Sequence, residues 1–360
     1  MRDVLPELDR WKEQGEEIAL ATLVRVRGSA PRLPGARLCV TRSGRMAGSV
    51  SGGCVENDVY ERAMQVLDGG QPVVASYGIA DEMGFAVGLS CGGTIDVLIE
   101  PFAEEEVWHS VREAVEQQRP AAVAIGLAPA ALIGRKLALL DDARTPGAID
   151  ALLDEHVIAA ARAAWRQGAA EVLTFPWRGE EASVFLEVIL PPPRLFIVGA
   201  THIAIALCRI AKGLGFRVSI IDPRGTYATR ERFPEADEIL LAEPGKVLGR
   251  AGLDVSSHVV ILTHDPKFDN PALACALRAD TGYIGVMGSR GTHGRRAVLL
   301  EREGFTEADL RRIRAPIGLD IGARSPEEMA LAILAEMVAV RHRRDGRALR
   351  EKNAPIHGDA

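Results

Sequence analysis

Leu190-Pro191-Pro192-Pro193-Arg194-Leu195-Phe196-Ile197-Val198-Gly199 is the stretch on which the reading of this 360-residue chain turns. Three successive prolines can continue neither a helix nor a central strand, so they mark a stiff linker. The apolar run that follows has no polar alternation, as expected of a strand buried on both faces of a parallel sheet. His202 to Gly213 then places Ile203, Leu207, Ile210 and Ala211 on one helical face. Further apolar runs at Val218–Ile221, Glu238–Leu241, Val259–Leu262 and Tyr283–Val286 predict an alternation of strands and helices, hence a doubly wound parallel sheet. Ser325-Pro326-Glu327-Glu328 supplies an N-cap, a proline at the first helical position and a capping-box Glu for a last helix through Val340.

Upstream of the prolines the pattern is less regular and reads as an α+β domain. Ile18–Val26 predicts a strand. Leu38–Thr41 and Met46–Gly48 flank a hairpin turn at Arg42-Ser43-Gly44-Arg45, and Thr94–Ile99 predicts another strand. Helices are expected over Val55–Leu67, near Val107–Gln117 and near Ile149–Gln167. The expected division is 1–190 for the α+β domain, 191–343 for the doubly wound domain and 344–360 for a flexible tail, with no internal repeat.

Bulk composition narrows the function. The net charge of −6 lacks the concentrated positive field that nucleic-acid binding requires, and the run Arg341-His342-Arg343-Arg344 reads as a solvated end. No stretch reaches the roughly 20 apolar residues of a membrane span, and the polar N-terminus has no signal core, so a cytoplasmic location is expected. The five cysteines (Cys39, Cys54, Cys91, Cys208 and Cys275) are an odd number without any C-x-x-C pair. This argues against a disulfide framework and a structural zinc site. Cys39, Cys208 and Cys275 lie on apolar faces and read as structural.

Three glycine-rich segments of the first domain carry the chemistry. Gly48-Ser49-Val50-Ser51-Gly52-Gly53-Cys54-Val55-Glu56 passes from a strand through a loop into a helix. Unpaired N–H groups at such a helix start attract anions, and the same position favours thiolate over thiol. A phosphate-bearing ligand with a soft metal or sulfur centre suits that combination. Gly88-Leu89-Ser90-Cys91-Gly92-Gly93-Thr94 is nearly its mirror image and places Cys91 at a sheet end. Arg27-Gly28-Ser29-Ala30-Pro31-Arg32-Leu33-Pro34-Gly35 holds Arg32 where a guanidinium can clamp a phosphate. A structural account competes, in which the cysteines are small hydrophobes and the Gly-Gly pairs mark turns; the recurrence of two such loops in one domain favours the functional one. Candidate binding residues are therefore Arg32, Ser51, Gly52, Gly53, Cys54, Cys91, Gly92 and Gly93.

In the second domain, Gly199-Ala200-Thr201-His202-Ile203-Ala204 sits where a dinucleotide fingerprint belongs, making the domain Rossmann-like. Asp222 ends the next strand, where an acidic residue meets a ribose hydroxyl. Thr201 replaces the second fingerprint glycine and would crowd a pyrophosphate, which weakens the case for ordinary NAD binding. His264, in Thr263-His264-Asp265, and Ser289 and Arg290, in the loop Gly288–Gly294, follow other strands at the edge where open parallel sheets bind ligands. Asp320 reads equally well as a turn residue or a site residue.

Taken in order, Gly28–Arg32, Gly48–Glu56, Gly88–Gly93, Pro192–Gly199, Gly288–Arg290 and Pro316–Glu328 resemble the XdhC/CoxI family, accessory factors of xanthine dehydrogenase and related molybdenum hydroxylases. The resemblance spans nearly the whole chain. It implies binding of molybdopterin (molybdenum) cofactor as cargo and its protection during sulfuration by a cysteine desulfurase. It also implies delivery to an apo molybdenum hydroxylase of the xanthine dehydrogenase or CO dehydrogenase type, by a homodimer. On this reading Cys54 is the first candidate, and Cys91 the second, to contact the molybdenum or its sulfur ligand. No residue is assigned a catalytic role, and a nucleotide is the ligand expected of the Rossmann-like half. The competing reading is an NAD(P)-dependent oxidoreductase built on that half.

Overall fold

The computed structural model describes residues 4–78, 93–103, 106–165, 168 and 170–351. It divides into two compact units, Met1–Pro191 and Pro192–Ala360.

The first unit opens with helix α1 (Leu5–Glu13), strands β1 (Ile18–Arg27), β2 (Arg37–Thr41) and β3 (Met46–Gly48), helix α2 (Glu56–Gly69), and strands β4 (Val73–Tyr77) and β5 (Thr94–Pro101). These strands form an antiparallel sheet in the order β3-β2-β1-β5-β4. Central β1 is buried on both faces. Its alternation separates two cores: Ala19, Ala21 and Leu23 pack with Val59, Ala63 and Val66 of α2, while Ile18, Leu20 and Val24 face the rest of the unit. The small alanines let α2 approach the sheet.

The rest of the unit is helix α3 (Glu106–Glu116), strands β6 (Ala121–Ala128) and β7 (Lys136–Leu140), helix α4 (Asp154–Ala164), and strands β8 (Ala170–Trp177) and β9 (Glu180–Ile189). The two helices stand close to where their periodicity predicts them. The second antiparallel sheet, β7-β6-β9-β8, does not emerge from periodicity. Its β6 is the alanine-rich run Ala121-Ala122-Val123-Ala124-Ile125-Gly126-Leu127-Ala128, buried on both faces. The β8–β9 connection is a two-residue turn in which Arg178 and Gly179 both have positive φ. Leu20, Val24 and Leu98 of the first sheet share one core with Val123, Ile125 and Phe185 of the second.

Two buried ion pairs cross between these sheets. The Arg37 guanidinium of β2, fully enclosed, donates to Glu187 of β9 through both arms, Nη1 to Oε1 at 3.1 Å and Nη2 to Oε2 at 2.5 Å. It also lies 5.5 Å over the Trp108 ring. Lys136 of β7 meets Glu100 of β5 at 2.9 Å.

The second unit contains β10 (Arg194–Val198), α5 (His202–Gly213), β11 (Arg217–Ile221), β12 (Glu238–Leu240), α6 (Pro244–Leu248), β13 (Ser257–Ile261), α7 (Pro266–Arg278) and β14 (Tyr283–Val286). It ends with α8 (Arg290–Arg302), α9 (Glu307–Leu310), β15 (Ile313–Arg314) and α10 (Pro326–Arg341). The six strands are parallel throughout, in the order β12-β11-β10-β13-β14-β15, so this unit is the doubly wound sheet that the apolar runs predict. Leu195 and Ile197 pack under α5 and α10, whereas Phe196 and Val198 pack under α7 and α8. The order reverses between β10 and β13, which fixes the switch point at their carboxyl ends. Ser325 and Glu328 close a reciprocal capping box on α10. Among the described residues, no helix is long and apolar enough to cross a membrane.

The packing of each unit can be tested at one buried group. Glu187→Ala removes the bidentate carboxylate from the buried Arg37 guanidinium, and is expected to destabilise the first unit by about 3–5 kcal/mol in denaturant unfolding. A loss below about 1 kcal/mol, the level of an exposed pair, would contradict the assigned role. In the second unit His258 lies enclosed between the Phe216 and Tyr283 rings. Burial drives its pKa down to about 4 against the pull of the Ser256 and Arg194 backbone, with Arg341 adding to the fall and Asp254 opposing it. The folded state thus favours the neutral ring, whose stabilisation is complete above pH 6.5 and is lost as the pH falls towards 4. At about 1.4 kcal/mol per pKa unit the loss is about 3 kcal/mol. His258→Phe should flatten the dependence of the melting temperature on pH across that same interval.

Candidate functional site

The candidate residues fall into two sets, one in each unit. In the first unit, the Cys54 loop, the Arg32 loop and the chain at Gly93 come together at one end of the five-stranded sheet. Arg27 at the end of β1 pairs with Thr94 at the start of β5, and Gly93 lies so close to the Ser29 carbonyl that a Cβ would stand 2.1 Å from its oxygen. A Cβ on Gly52 would be 3.5 Å from Pro31. The Cys54 loop, the loop carrying Arg32 and the chain at Gly93 are therefore neighbours. Arg32 is partly buried, as is Cys54, while Gly52 and Gly53 are exposed. Cys91 and Gly92 lie outside the described residues.

Arg37 positions both loops. Its side chain donates to Gly35 O at 3.0 Å, holding the end of the Arg32 loop. Its own carbonyl accepts the Ser49 N–H at 2.8 Å. Gly48, with φ +85°, runs so close to that carbonyl that a Cβ would come within 2.2 Å of the oxygen, so only glycine fits where the Cys54 loop begins.

The loop itself is folded around Glu56. That carboxylate accepts the Ser49 hydroxyl at 2.6 Å, the Ser51 N–H at 2.9 Å and hydroxyl at 2.5 Å, the Gly53 N–H at 2.8 Å and the Val55 N–H at 3.2 Å. Ser51 Oγ accepts the N–H groups of Cys54 and Val55, each at 3.0 Å, and Ser49 Oγ that of Gly52 at 2.8 Å. Burial pushes the Glu56 carboxyl up, but the bonds from Ser49 and Ser51 outweigh it and hold its pKa at about 2. The expectation of unpaired N–H groups for a ligand phosphate is corrected here: a carboxylate and two hydroxyls of the chain already occupy them. What the loop leaves is Cys54, half-buried and packed against the core between α2 and the first sheet, beside Gly53, around whose Cα a Cβ would meet nothing within 4 Å among the described residues. Among the described residues, no group of three or more His, Cys, Asp or Glu side chains is placed to hold a metal ion. Sequence reasoning missed Arg37, Glu187 and the role of Glu56. The spacing of Ser51 to Glu56 does not advertise the last, because the carboxylate bonds backward over five residues.

In the second unit, Gly199, Asp222, His264, Ser289 and Arg290 stand at the carboxyl ends of β10, β11, β13 and β14. Gly199, with φ +102°, leaves 2.5 Å between a Cβ and Thr263 Cγ2. Asp222 is fully buried and accepts the Ala200 N–H at 2.9 Å from the fingerprint turn. Thr201 caps α5 by accepting the Ala204 N–H at 3.3 Å, so its side chain takes over a donor of the turn. His264, Ser289 and Arg290 are exposed. Ser289 caps α8 through the Thr292 N–H at 3.2 Å, and no hydrogen bond is found between these three or to Asp222 among the described residues. Beneath them Asp269 holds Thr263 and, at 2.8 Å, Arg296. Cys39 and Cys208 are buried among apolar side chains.

An α+β unit with a glycine-rich Cys54 loop beside the Arg32 loop, joined to a Rossmann-type unit, defines the class. Residues 11–78 match the family described as XdhC and CoxI, and residues 195–337 match the XdhC Rossmann domain, together more than half of the chain. The chain belongs to the XdhC/CoxI family. It is similar, at 29% identity over 93% of its length and 97% of the relative's, to a Bacillus subtilis (strain 168) protein named as a probable xanthine dehydrogenase subunit. It is 28% identical to the Escherichia coli (strain K12) molybdenum cofactor insertion chaperone PaoD, over 91% of this chain and 84% of that protein. A crystal structure described as a xanthine dehydrogenase from Bacillus halodurans superposes with a TM-score of 0.74 at 26% identity, covering 96% and 97% of the two chains.

Because Glu56 organises the Cys54 loop, Glu56→Gln should speed amide exchange at Gly53 and Val55 while leaving the strands protected. In the wild type that protection should persist below pH 4.5 and fade only as the pH approaches about 2, where the folded-state carboxylate titrates. Equal exchange in both proteins would remove Glu56 from this role.

Proposed function

We propose that the protein is a molybdenum cofactor chaperone that binds the cofactor as cargo in its first unit, protects it and hands it to an apo molybdenum hydroxylase, with no turnover of its own. The observation that carries this reading is the position of Cys54, half-buried at the end of a loop fixed by Glu56, beside Gly53 and next to the Arg32 loop. A thiolate is the protein ligand suited to a soft or sulfur-bound metal, so Cys54 takes the molybdenum or its sulfur ligand. The N–H groups of the Cys54 loop are taken, so the terminal phosphate of the pterin falls to the Arg32 guanidinium.

The name of the PaoD relative supports the insertion role, and the name of the Bacillus subtilis relative supports a client of the xanthine dehydrogenase type. The same reading includes sulfuration of the bound cofactor by a cysteine desulfurase, a homodimeric state and a site of action in the cytoplasm. Holding the molybdenum through a single thiolate suits a carrier, since a ligand that must be surrendered gains nothing from a closed coordination cage.

The purified protein is incubated with isolated molybdenum cofactor, unbound material is removed, and retained pterin is measured by the fluorescence of its oxidised form. Near-stoichiometric retention is expected in the wild type, falling about tenfold or more in affinity in Cys54→Ala and less in Arg32→Ala. No retention by the wild type, or retention unchanged in both Cys54→Ala and Cys91→Ala, would overturn the assignment.

A further inference from the structure

In a parallel sheet of this order, the ribose of a bound adenine nucleotide faces the carboxyl end of the strand beside the first, where an acidic side chain accepts the 2′-hydroxyl. Asp222 holds that place, yet all of its acceptor capacity is used. Oδ1 accepts the Arg224 N–H and Nε, each at 2.9 Å, and Oδ2 accepts the Ala200 N–H at 2.9 Å and Arg224 Nη2 at 2.7 Å. A carboxylate has about four lone-pair sites, and four donors fill them. Burial opposes ionisation of Asp222, but the bonds from Arg224 and Ala200 prevail and keep it charged. A ribose diol arriving here finds no lone pair to donate into.

What the site does offer is a guanidinium. Arg224 spends Nε and Nη2 on Asp222, and its Nη1 enters no hydrogen bond among the described residues. Its side chain is 49% exposed, against 1% for Asp222. The guanidinium lies 4.5 Å from the centre of the Tyr227 ring, and Arg232 approaches the same ring at 5.8 Å. Arg232 is fixed in turn by donating to the carbonyls of Ala200 and Tyr227. Two guanidinium groups are thus held around one aromatic ring at the ribose end of the fingerprint turn. Thr201 caps the Ala204 N–H with its hydroxyl, so the helix start offers less to the pyrophosphate that both kinds of nucleotide share, and the contact at Arg224 has to carry the selectivity.

We propose that the second unit binds an adenine nucleotide carrying a phosphate on its ribose 2′-oxygen, of the NADP kind, through Arg224, and discriminates against the unphosphorylated diol. Asp222 is the positioning residue: it holds Arg224 in one orientation and ties it to the Ala200 turn. Recognition is by charge-assisted hydrogen bonds to the phosphate oxygens, and no hydride transfer is implied. This assignment is independent of the cargo bound by the first unit.

Isothermal titration of the full chain with NADP+, NAD+, 2′,5′-ADP and 5′-AMP tests it. NADP+ and 2′,5′-ADP are expected to bind about tenfold or more tightly than NAD+ and 5′-AMP, with the advantage shrinking as salt is raised. The preference should vanish in Arg224→Ala and survive in part in Arg224→Lys, which keeps the charge and loses the fork. Circular dichroism of the variants reports whether they fold; if Arg224→Ala does not, the wild-type ranking and the lysine variant decide. NAD+ binding as tightly as NADP+, a preference that persists in folded Arg224→Ala, or the absence of binding by all four compounds would each overturn the proposal.

Discussion

The buried fork between Arg37 and Glu187 is the constraint on which the first unit's site depends. It joins the two antiparallel sheets, and the residue that supplies it also anchors both loops of the candidate site. The Arg37 side chain holds Gly35 at the end of the Arg32 loop, and its carbonyl holds Ser49 at the start of the Cys54 loop. A charge enclosed this completely is costly unless paired with good geometry. The two-armed contact with Glu187 provides that pairing, so the position of Cys54 relative to Arg32 follows from the registry of one sheet against the other.

The two units arrive at self-satisfied polar loops by the same device. In the first, the Glu56 carboxylate gathers the N–H groups that a phosphate would otherwise take. In the second, Asp222 gathers the Ala200 N–H and the Arg224 fork, and Thr201 caps its own helix. Each arrangement removes donors or acceptors that the sequence motif advertises and leaves something else for a ligand: a half-buried thiol in one case, a guanidinium in the other. The ligands proposed for the two units follow from what is left over, a soft metal centre and an added phosphate.

The doubly wound sheet is legible in the sequence because strands buried on both faces read as unbroken apolar runs, and because helix α10 carries Ser325, Pro326 and Glu328 in a recognisable start signal. The hairpin at Arg42–Arg45 and helix α2 are equally plain. The β7-β6-β9-β8 sheet is hidden because β6 is rich in alanine, a residue that favours helices and shows no period of two when both faces are covered. Of the site, the glycine and cysteine positions stand out in the sequence, since backbone crowding and helix starts leave local traces. Arg37 and Glu187 do not, because they are 150 positions apart and meet only through the packing of two sheets. Nor does a local motif reveal that Asp222 is saturated, since one of its donors comes from a neighbouring strand's turn and the rest from a residue two positions on.

The most direct test of the central claim is molybdenum K-edge X-ray absorption of the protein loaded with cofactor, compared with the cofactor alone and with Cys54→Ala. An added sulfur scatterer in the wild type that is missing in Cys54→Ala is the predicted result. A molybdenum environment identical in the wild type and Cys54→Ala, with cofactor retained by both, would contradict the placement of the metal at Cys54.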